Sequence, residues 1–417
     1  MVLRIATAGS VDDGKSTLIG RLLHDTKTVF EDQLRAVERA SLRYGDGSTN
    51  LALLTDGLRA EREQGITIDV AYRFFGTPRR TFVVADTPGH AQYTRNMVTG
   101  ASVSDVAIVL VDARVGPSEQ TKRHLFICSL LGVQRVVVAV NKMDLVDWSR
   151  TVFDDIVAEV TEHIGLLPYP LEVDSIPLSA LLGENVVDRG SMMPWYEGPS
   201  LLEHLEDIEP RRSEASGARL AVQYVIRPHG VEHHDYRGFA GRLFGGSLAV
   251  GDEVTVLPGG RTSKISALSR AGVDVFEAQA GQSIAVQLVD DIDVGRGDVI
   301  VPSSPALPLV ADEFLADISW MSESVLSEGS RWTIKHNSRT LRAIVTSVRH
   351  RYDVLGGSVA PTDRLELNDL GVVSIATTAP LVWEPYDRRR SGGAAILMDE
   401  ATGMTVGAIM LRDRISS

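Results

Sequence analysis

The sequence predicts an α/β domain, with helices on both faces of a mainly parallel sheet, followed by two antiparallel β domains. Three observations carry this. Residues 1–209 alternate continuous apolar runs with stretches of helical spacing. The chain from about residue 218 onward is a series of short strand-like runs punctuated by Gly and Pro. Polar or Pro-rich breaks fall at Glu209–Gly217 and at Val301–Pro308. At ~150 residues per domain, 417 residues make about three domains. They are expected at 1–209, 218–305 and 306–417, with 210–217 as a linker.

Leu3–Ala8 is a short apolar run ending at Gly9, and so a first strand. Ser16–His24 follows with Leu18, Leu22 and Leu23 on one helical side. Thr81–Ala85, Val106–Asp112 and Val136–Val140 read as further strands, with Glu119–Leu131 patterned as a helix between the last two. Their unbroken Val, Ile and Ala content is that of strands covered on both faces. In the second half, Leu220–Ile226, Gly238–Leu243, Glu253–Leu257 and Ser283–Leu288 form one group of runs. Trp332–His336, Arg342–His350, Val372–Thr377 and Ala394–Met398 form another. This texture fits an antiparallel barrel or a sandwich, and no fixed-period repeat is visible.

Hydrophobic residues make up 44% and charged residues 23%, a balance that excludes a disordered, collagen-like or coiled-coil chain. No apolar run approaches the ~18 residues of a membrane span, so no membrane partner is expected. Met1-Val2-Leu3-Arg4 leads straight into the first strand, so no signal peptide is expected. One cysteine, Cys128, makes no intrachain disulfide and fits a reducing compartment; the expected location is cytoplasmic. The formal charge, 42 − 55 = −13, argues against a broad nucleic-acid footprint, and no nucleic-acid partner is expected.

The strongest chemical signal is Gly9-Ser10-Val11-Asp12-Asp13-Gly14-Lys15-Ser16, which matches the phosphate-binding pattern G-x-x-x-x-G-K-S/T between a strand and a helix. The glycines let backbone N–H groups turn inward around phosphate oxygens, and the following helix points its N-terminus at the same anion. Lys15 supplies positive charge to the β- and γ-phosphates, and the Ser16 hydroxyl can bind Mg²⁺. Asp86-Thr87-Pro88-Gly89-His90 ends a strand; its carboxylate can hold Mg²⁺ through water, and the Gly89 amide can reach a γ-phosphate. Asn141-Lys142-Met143-Asp144 follows another strand. Its carboxylate can accept two hydrogen bonds from N1–H and the 2-amino group of guanine, donors that adenine lacks on that edge. Ser179-Ala180-Leu181 would complete the base pocket through backbone contacts. A threonine must also reach Mg²⁺ and the γ-phosphate from a switch loop, and Thr67 is the candidate. In this order the motifs make a guanine-nucleotide-binding domain, with GTP and Mg²⁺ as ligands.

These motifs resemble translational GTPases of the elongation factor Tu class, which share Gly65-Ile66-Thr67-Ile68 and the His after Asp-Thr-Pro-Gly. One branch is closer still: Ser10–Thr17, Leu58–Phe75 and Gln92–Ser102 resemble the GTPase subunit of bacterial sulfate adenylyltransferase. So do Trp195–Leu202, Asp235–Gly241, Asp290–Asp298 and Trp320–Glu323, so the resemblance covers essentially the whole chain. It implies an α/β P-loop GTPase domain followed by two antiparallel β-barrel domains. It also implies a heterodimer with a catalytic adenylyltransferase subunit, which binds ATP and sulfate and makes adenosine 5′-phosphosulfate and pyrophosphate. GTP hydrolysis on this chain would drive that reaction. By resemblance, His90 orients the attacking water, and Val11 and Ile66 flank it. Thr67 and Ser16 ligate Mg²⁺ directly and Asp86 through water, while Lys15 acts at the phosphates beside the Thr17 hydroxyl.

Two other readings share the outline: an elongation-factor-like carrier of aminoacyl-tRNA, and a GTPase activating a related adenylyltransferase in specialised metabolism. Some relatives carry a fused adenosine-phosphosulfate kinase with its own phosphate loop. No second G-x-x-x-x-G-K follows Ser16, so residues 1–417 are expected to hold no such kinase. His229, His233 and His234 lack ligand partners at metal spacing and read as a solvated loop. Arg388-Arg389-Arg390 reads as a solvated or partner-facing turn. Arg62 and Arg95 are near the motifs in sequence only, and no arginine is expected in cis at the phosphates.

Overall fold

The continuous apolar runs of the first half assemble into one six-stranded sheet. In the computed structural model, the structure describes residues 2–28, 51–54, 69–90, 94–133, 135–209, 217–228, 236–304 and 307–413. The strands are β1 (Val2–Ala8), β2 (Ala71–Gly76), β3 (Thr81–Asp86), β4 (Val106–Asp112), β5 (Arg135–Asn141) and β6 (Glu172–Pro177). Their order across the sheet is β2-β3-β1-β4-β5-β6. Only β2 runs antiparallel to its neighbour; the other pairings are parallel. β4 is buried along its whole length, as an unbroken Val-Ala-Ile-Val-Leu-Val run between two parallel neighbours requires.

The helices are α1 (Lys15–Asp25), α2 (Thr94–Ser102), α3 (Glu119–Leu130), α4 (Arg150–Ile164) and α5 (Leu201–Asp207). Local chemistry starts them. Ser118 and Thr121 form a reciprocal capping box at α3, and Ser200 and Glu203 form another at α5. Leu18 and Leu22 of α1 pack with Leu3 and Ile5 of β1, Ile108 and Leu110 of β4, and Phe82 of β3 in one apolar core. These residues belong to a unit of residues 1–210 with 352–359; a second unit comprises 211–351 and 360–417. The sequence reading does not anticipate β2, β6, α2, α4 or α5. β2 is an edge strand with Tyr72 and Phe74 exposed, so its burial does not show as an apolar run.

The second unit holds two closed antiparallel barrels, which decides barrel over sandwich. Around the first run Glu253–Leu257, Val299–Pro302, Arg219–Ile226, Gly238–Phe244, Ser283–Leu288 and Arg261–Arg270, the last pairing back to the first. Around the second run Arg331–His336, Ala394–Met398, Thr405–Arg412, Leu309–Trp320, Leu370–Trp383 and Arg339–Tyr352, closing in the same way. Each has its own apolar core, one around Phe239 and Leu243, the other around Trp320 and Ile318.

Two expectations are corrected here. The Pro-rich break begins inside a strand: Val301 is fully buried and Pro302 closes Val299–Pro302, a strand end where a missing N–H is tolerated. The Arg388–Arg390 turn is not uniformly solvated. Arg388 is exposed and lies 3.7 Å from Asp413, but Arg389 is buried, 3.3 Å from Glu384 and donating to the Gly217 carbonyl. A charge so enclosed needs a paired acid and a carbonyl, and this one has both.

Candidate nucleotide site

β1 delivers the chain into the phosphate loop at Gly9, whose φ of +147° is a glycine conformation. Gly14, at φ +96°, caps α1, and the first turn of α1 carries no acidic residue to oppose an anion. A Cβ on Gly14 would lie 2.4 Å from Asn141 Nδ2, so the loop closes tightly on the base-recognition segment. Lys15 is buried and donates from Nζ to the Gly9 and Ser10 carbonyls at 3.0 and 2.7 Å. Burial lowers its pKa, while Asp13 and Asp86 act to hold its charge. Asp13 accepts from the Ser10 amide; burial pushes its carboxyl up against the pull of that bond and of Lys15. Val11 is exposed, and Ser16 and Thr17 are half-buried in the first turn of α1.

Asn141 ends β5 and ties three segments together. Its Nδ2 donates to the Asp13 carbonyl at 2.7 Å, and its Oδ1 accepts from the Ala180 amide at 2.9 Å. Lys142, at φ +64°, donates to the Asp12 carbonyl and, at 2.8 Å, to Asp112 Oδ2. Met143 is buried beneath this turn. Asp144 Oδ1 is buried and has no hydrogen-bond partner among the described residues. A buried carboxylate oxygen left so is costly unless a donor reaches it, and that is the fit expected for a guanine edge. Ser179 is buried, and its hydroxyl accepts from the Leu182 amide at 3.2 Å. Leu181 is exposed through its side chain, and its carbonyl, like that of Ala180, accepts from Arg21 of α1.

At the phosphate end, β3 carries Asp86 into the core, only 2% exposed, where the Thr7 hydroxyl lies 3.4 Å from Oδ1. The Thr87 hydroxyl donates to the Thr7 carbonyl at 2.5 Å, fixing the turn that follows. Pro88 and Gly89 are buried, and a Cβ on Gly89 would lie 2.3 Å from Lys15 Nζ and 2.7 Å from Gly9 O. That contact sets the loop against the phosphate cradle and places the next residue, exposed His90, beside it. Among the described residues no group of three or more His, Cys, Asp or Glu could hold a metal alone. The Ser16 hydroxyl and the Asp86 carboxylate suit a cation held largely by phosphate oxygens and water.

Residues 1–211 match the family model described as elongation factor Tu GTP binding domain, and residues 313–412 match GTP-eEF1A C-terminal domain-like. The chain is similar to a Mycobacterium tuberculosis protein described as bifunctional enzyme CysN/CysC. The identity is 51%, covering 99% of this chain and 67% of the relative. A Vibrio cholerae serotype O1 protein, sulfate adenylyltransferase subunit 1, is 48% identical, covering 100% of this chain and 87% of that protein. The chain belongs to the sulfate adenylyltransferase subunit 1 family. Among solved structures, sup35 complexed with GDP aligns over 99% of this chain and 94% of its own, at 22% identity and a TM-score of 0.45.

The candidate segments of this family member lie together: Asn141 bonds to Asp13 and Ala180, and Gly89 packs on Gly9 and Lys15. Thr67, Ile66 and Arg62 lie outside the described residues, as do His229, His233 and His234. Three supports escape the sequence reading. Arg21 clamps the base loop from 159 residues away. Asp112 pairs with Arg114 at 2.6 Å and with Lys142 at 2.8 Å. Burial alone would raise the Asp112 carboxyl, but hydrogen bonds from Arg114 and Lys142 hold it far below the usual carboxylate range. His124 of α3 meets Gly9. For Asp112 a signal existed: it ends β4 directly opposite Asn141 at the end of β5. Among the described residues no helix is long and apolar enough to cross a membrane.

Proposed function

We propose that this chain is the GTP-hydrolysing subunit of a sulfate adenylyltransferase. It would work with a catalytic subunit that forms adenosine 5′-phosphosulfate and pyrophosphate from ATP and sulfate. The observation that carries the nucleotide assignment is the buried carboxylate oxygen of Asp144, without a partner among the described residues, set beside an Asn141 that holds both the phosphate loop and the base loop. Family membership carries the sulfate assignment. Cytoplasmic action accords with a single, buried cysteine.

In this reading Asp144 accepts from guanine N1–H and the 2-amino group, with Ser179-Ala180-Leu181 closing the base pocket. Lys15 and the amides of Gly14–Thr17 at the start of α1 bind the β- and γ-phosphates. Ser16 and Thr67 would hold Mg²⁺ directly and Asp86 through water; the ion, when bound, offsets charge on the phosphate oxygens. His90 accepts a hydrogen bond from a water and aims its oxygen at the γ-phosphorus. The oxygen–phosphorus bond forms as the bond from that phosphorus to the β–γ bridging oxygen breaks. GDP and inorganic phosphate result, one proton of the water staying on the new phosphate and the other passing to solvent, and Lys15 balances the charge gathering on the leaving group.

A site whose switch residues are completed by a partner turns over slowly alone. GTP hydrolysis by the isolated chain is therefore expected to be slow. Adding the adenylyltransferase subunit with ATP and sulfate should raise it at least ~10-fold, toward the ~10³–10⁵-fold reached when a partner completes such sites. Steady-state phosphate release, with each component omitted in turn, measures this. Full activity without the partner contradicts the reading, and stimulation by aminoacyl-tRNA instead favours the carrier alternative.

A further inference from the structure

The amide of Gly9, the first residue of the phosphate loop, is buried and donates to His124 Nδ1 at 3.0 Å across 115 residues of sequence. His124 lies on α3 and is fully buried. The same glycine accepts from Lys15 Nζ through its carbonyl, and that carbonyl also packs against Gly89. One residue therefore joins three things: the helix, the phosphate-binding lysine and the loop bearing His90. Nothing in the motif pattern accounts for the helix end of this chain.

We propose that His124 is a positioning residue for the phosphate loop, acting as a neutral imidazole that keeps its proton on Nε2 and accepts the Gly9 amide at Nδ1. The inference rests on the nucleotide-binding reading above. A neutral imidazole has one N–H, so a ring that accepts at Nδ1 must donate at Nε2. The Gln120 side-chain amide nitrogen, as placed, lies 2.8 Å from His124 Nε2. The two ends of that amide exchange by a half-turn, and an Nε2–H selects its carbonyl oxygen. Complete burial, with Lys15 and Arg123 adding positive charge nearby, pushes the His124 pKa down to about 3. The acceptor at Nδ1 is therefore kept throughout the working pH range. Without it, the buried Gly9 N–H would lose its partner, and the loop would have to shift to solvate it.

The test uses the full chain, a fluorescent GDP analogue and the variants His124→Leu and His124→Asn. Leu fills the cavity without an acceptor, whereas Asn Oδ1 can stand where Nδ1 stood. His124→Leu is expected to weaken binding ~10-fold or more through a faster dissociation rate, the effect of one orphaned buried donor. His124→Asn should return it to within ~3-fold of the parent. Leu binding as tightly as His, or Asn binding as weakly as Leu, overturns the proposal. A readout independent of variant folding is nitrogen NMR of the parent labelled at histidine. Nδ1 should be unprotonated and Nε2 protonated from pH 5 to 8, and a proton on Nδ1 overturns the assignment. Failure of the parent chain itself to bind the GDP analogue would instead count against the nucleotide reading.

Discussion

Asp144→Asn is expected to bind GTP at least ~10²-fold more weakly than the parent and to prefer XTP over GTP. The parent carboxylate presents two acceptors, one of which, Oδ1, is buried without a partner among the described residues. Charge-assisted hydrogen bonds to guanine's two donors contribute roughly 1.5–3 kcal/mol each, so losing their complementarity removes ~3 kcal/mol or more. At ~1.4 kcal/mol per decade, that is two orders of magnitude. An amide offers one acceptor and one donor, which matches the 2-oxo group of xanthine. Competition of GTP and XTP for a fluorescent nucleotide measures the preference. A mutant that still prefers GTP removes Asp144 from the base pocket.

His90→Ala is expected to lower single-turnover GTP hydrolysis ~10²–10⁴-fold, the range for a positioned group acting on the nucleophile. GTP affinity should stay within ~3-fold, because His90 is exposed and follows Gly89 rather than holding phosphate or base itself. Its exposure also means that truncation leaves no core cavity, so the thermal midpoint should not move. A quenched-flow trace with unchanged hydrolysis would show that another group orients the water.

The candidate site was legible where its chemistry is local in sequence. The phosphate loop sits in eight consecutive residues after a strand, and Asp86–His90 and Asn141–Asp144 each end a buried strand. What escaped is the support that only folding assembles. Arg21, Asp112 and His124 carry no motif; Arg21 meets the Ala180 carbonyl, Asp112 meets Lys142 and His124 meets Gly9, all distant in sequence. The barrel strands were partly legible for a related reason. Arg339–Tyr352 contains register shifts at Val345/Ser347 and Val348/His350, which interrupt the alternation and made the run look shorter. Leu309–Trp320 is exposed at its start and buried at its end, so neither an alternating nor a continuous pattern spans it. Arg389 was misjudged because its neighbours are arginines, while its acid and carbonyl partners come from Glu384 and Gly217.

In the proposed function, GTP hydrolysis on this chain drives sulfate activation on its partner. The direct measurement is the yield of adenosine 5′-phosphosulfate by the purified complex from fixed ATP and sulfate. It is made with GTP, with a non-hydrolysable GTP analogue, and without guanine nucleotide. Only hydrolysable GTP is expected to raise the yield above the level set by ATP and sulfate alone, and the His90→Ala complex to lose this gain while still binding GTP. Equal yields under all three conditions, with GTP turnover intact, would contradict it.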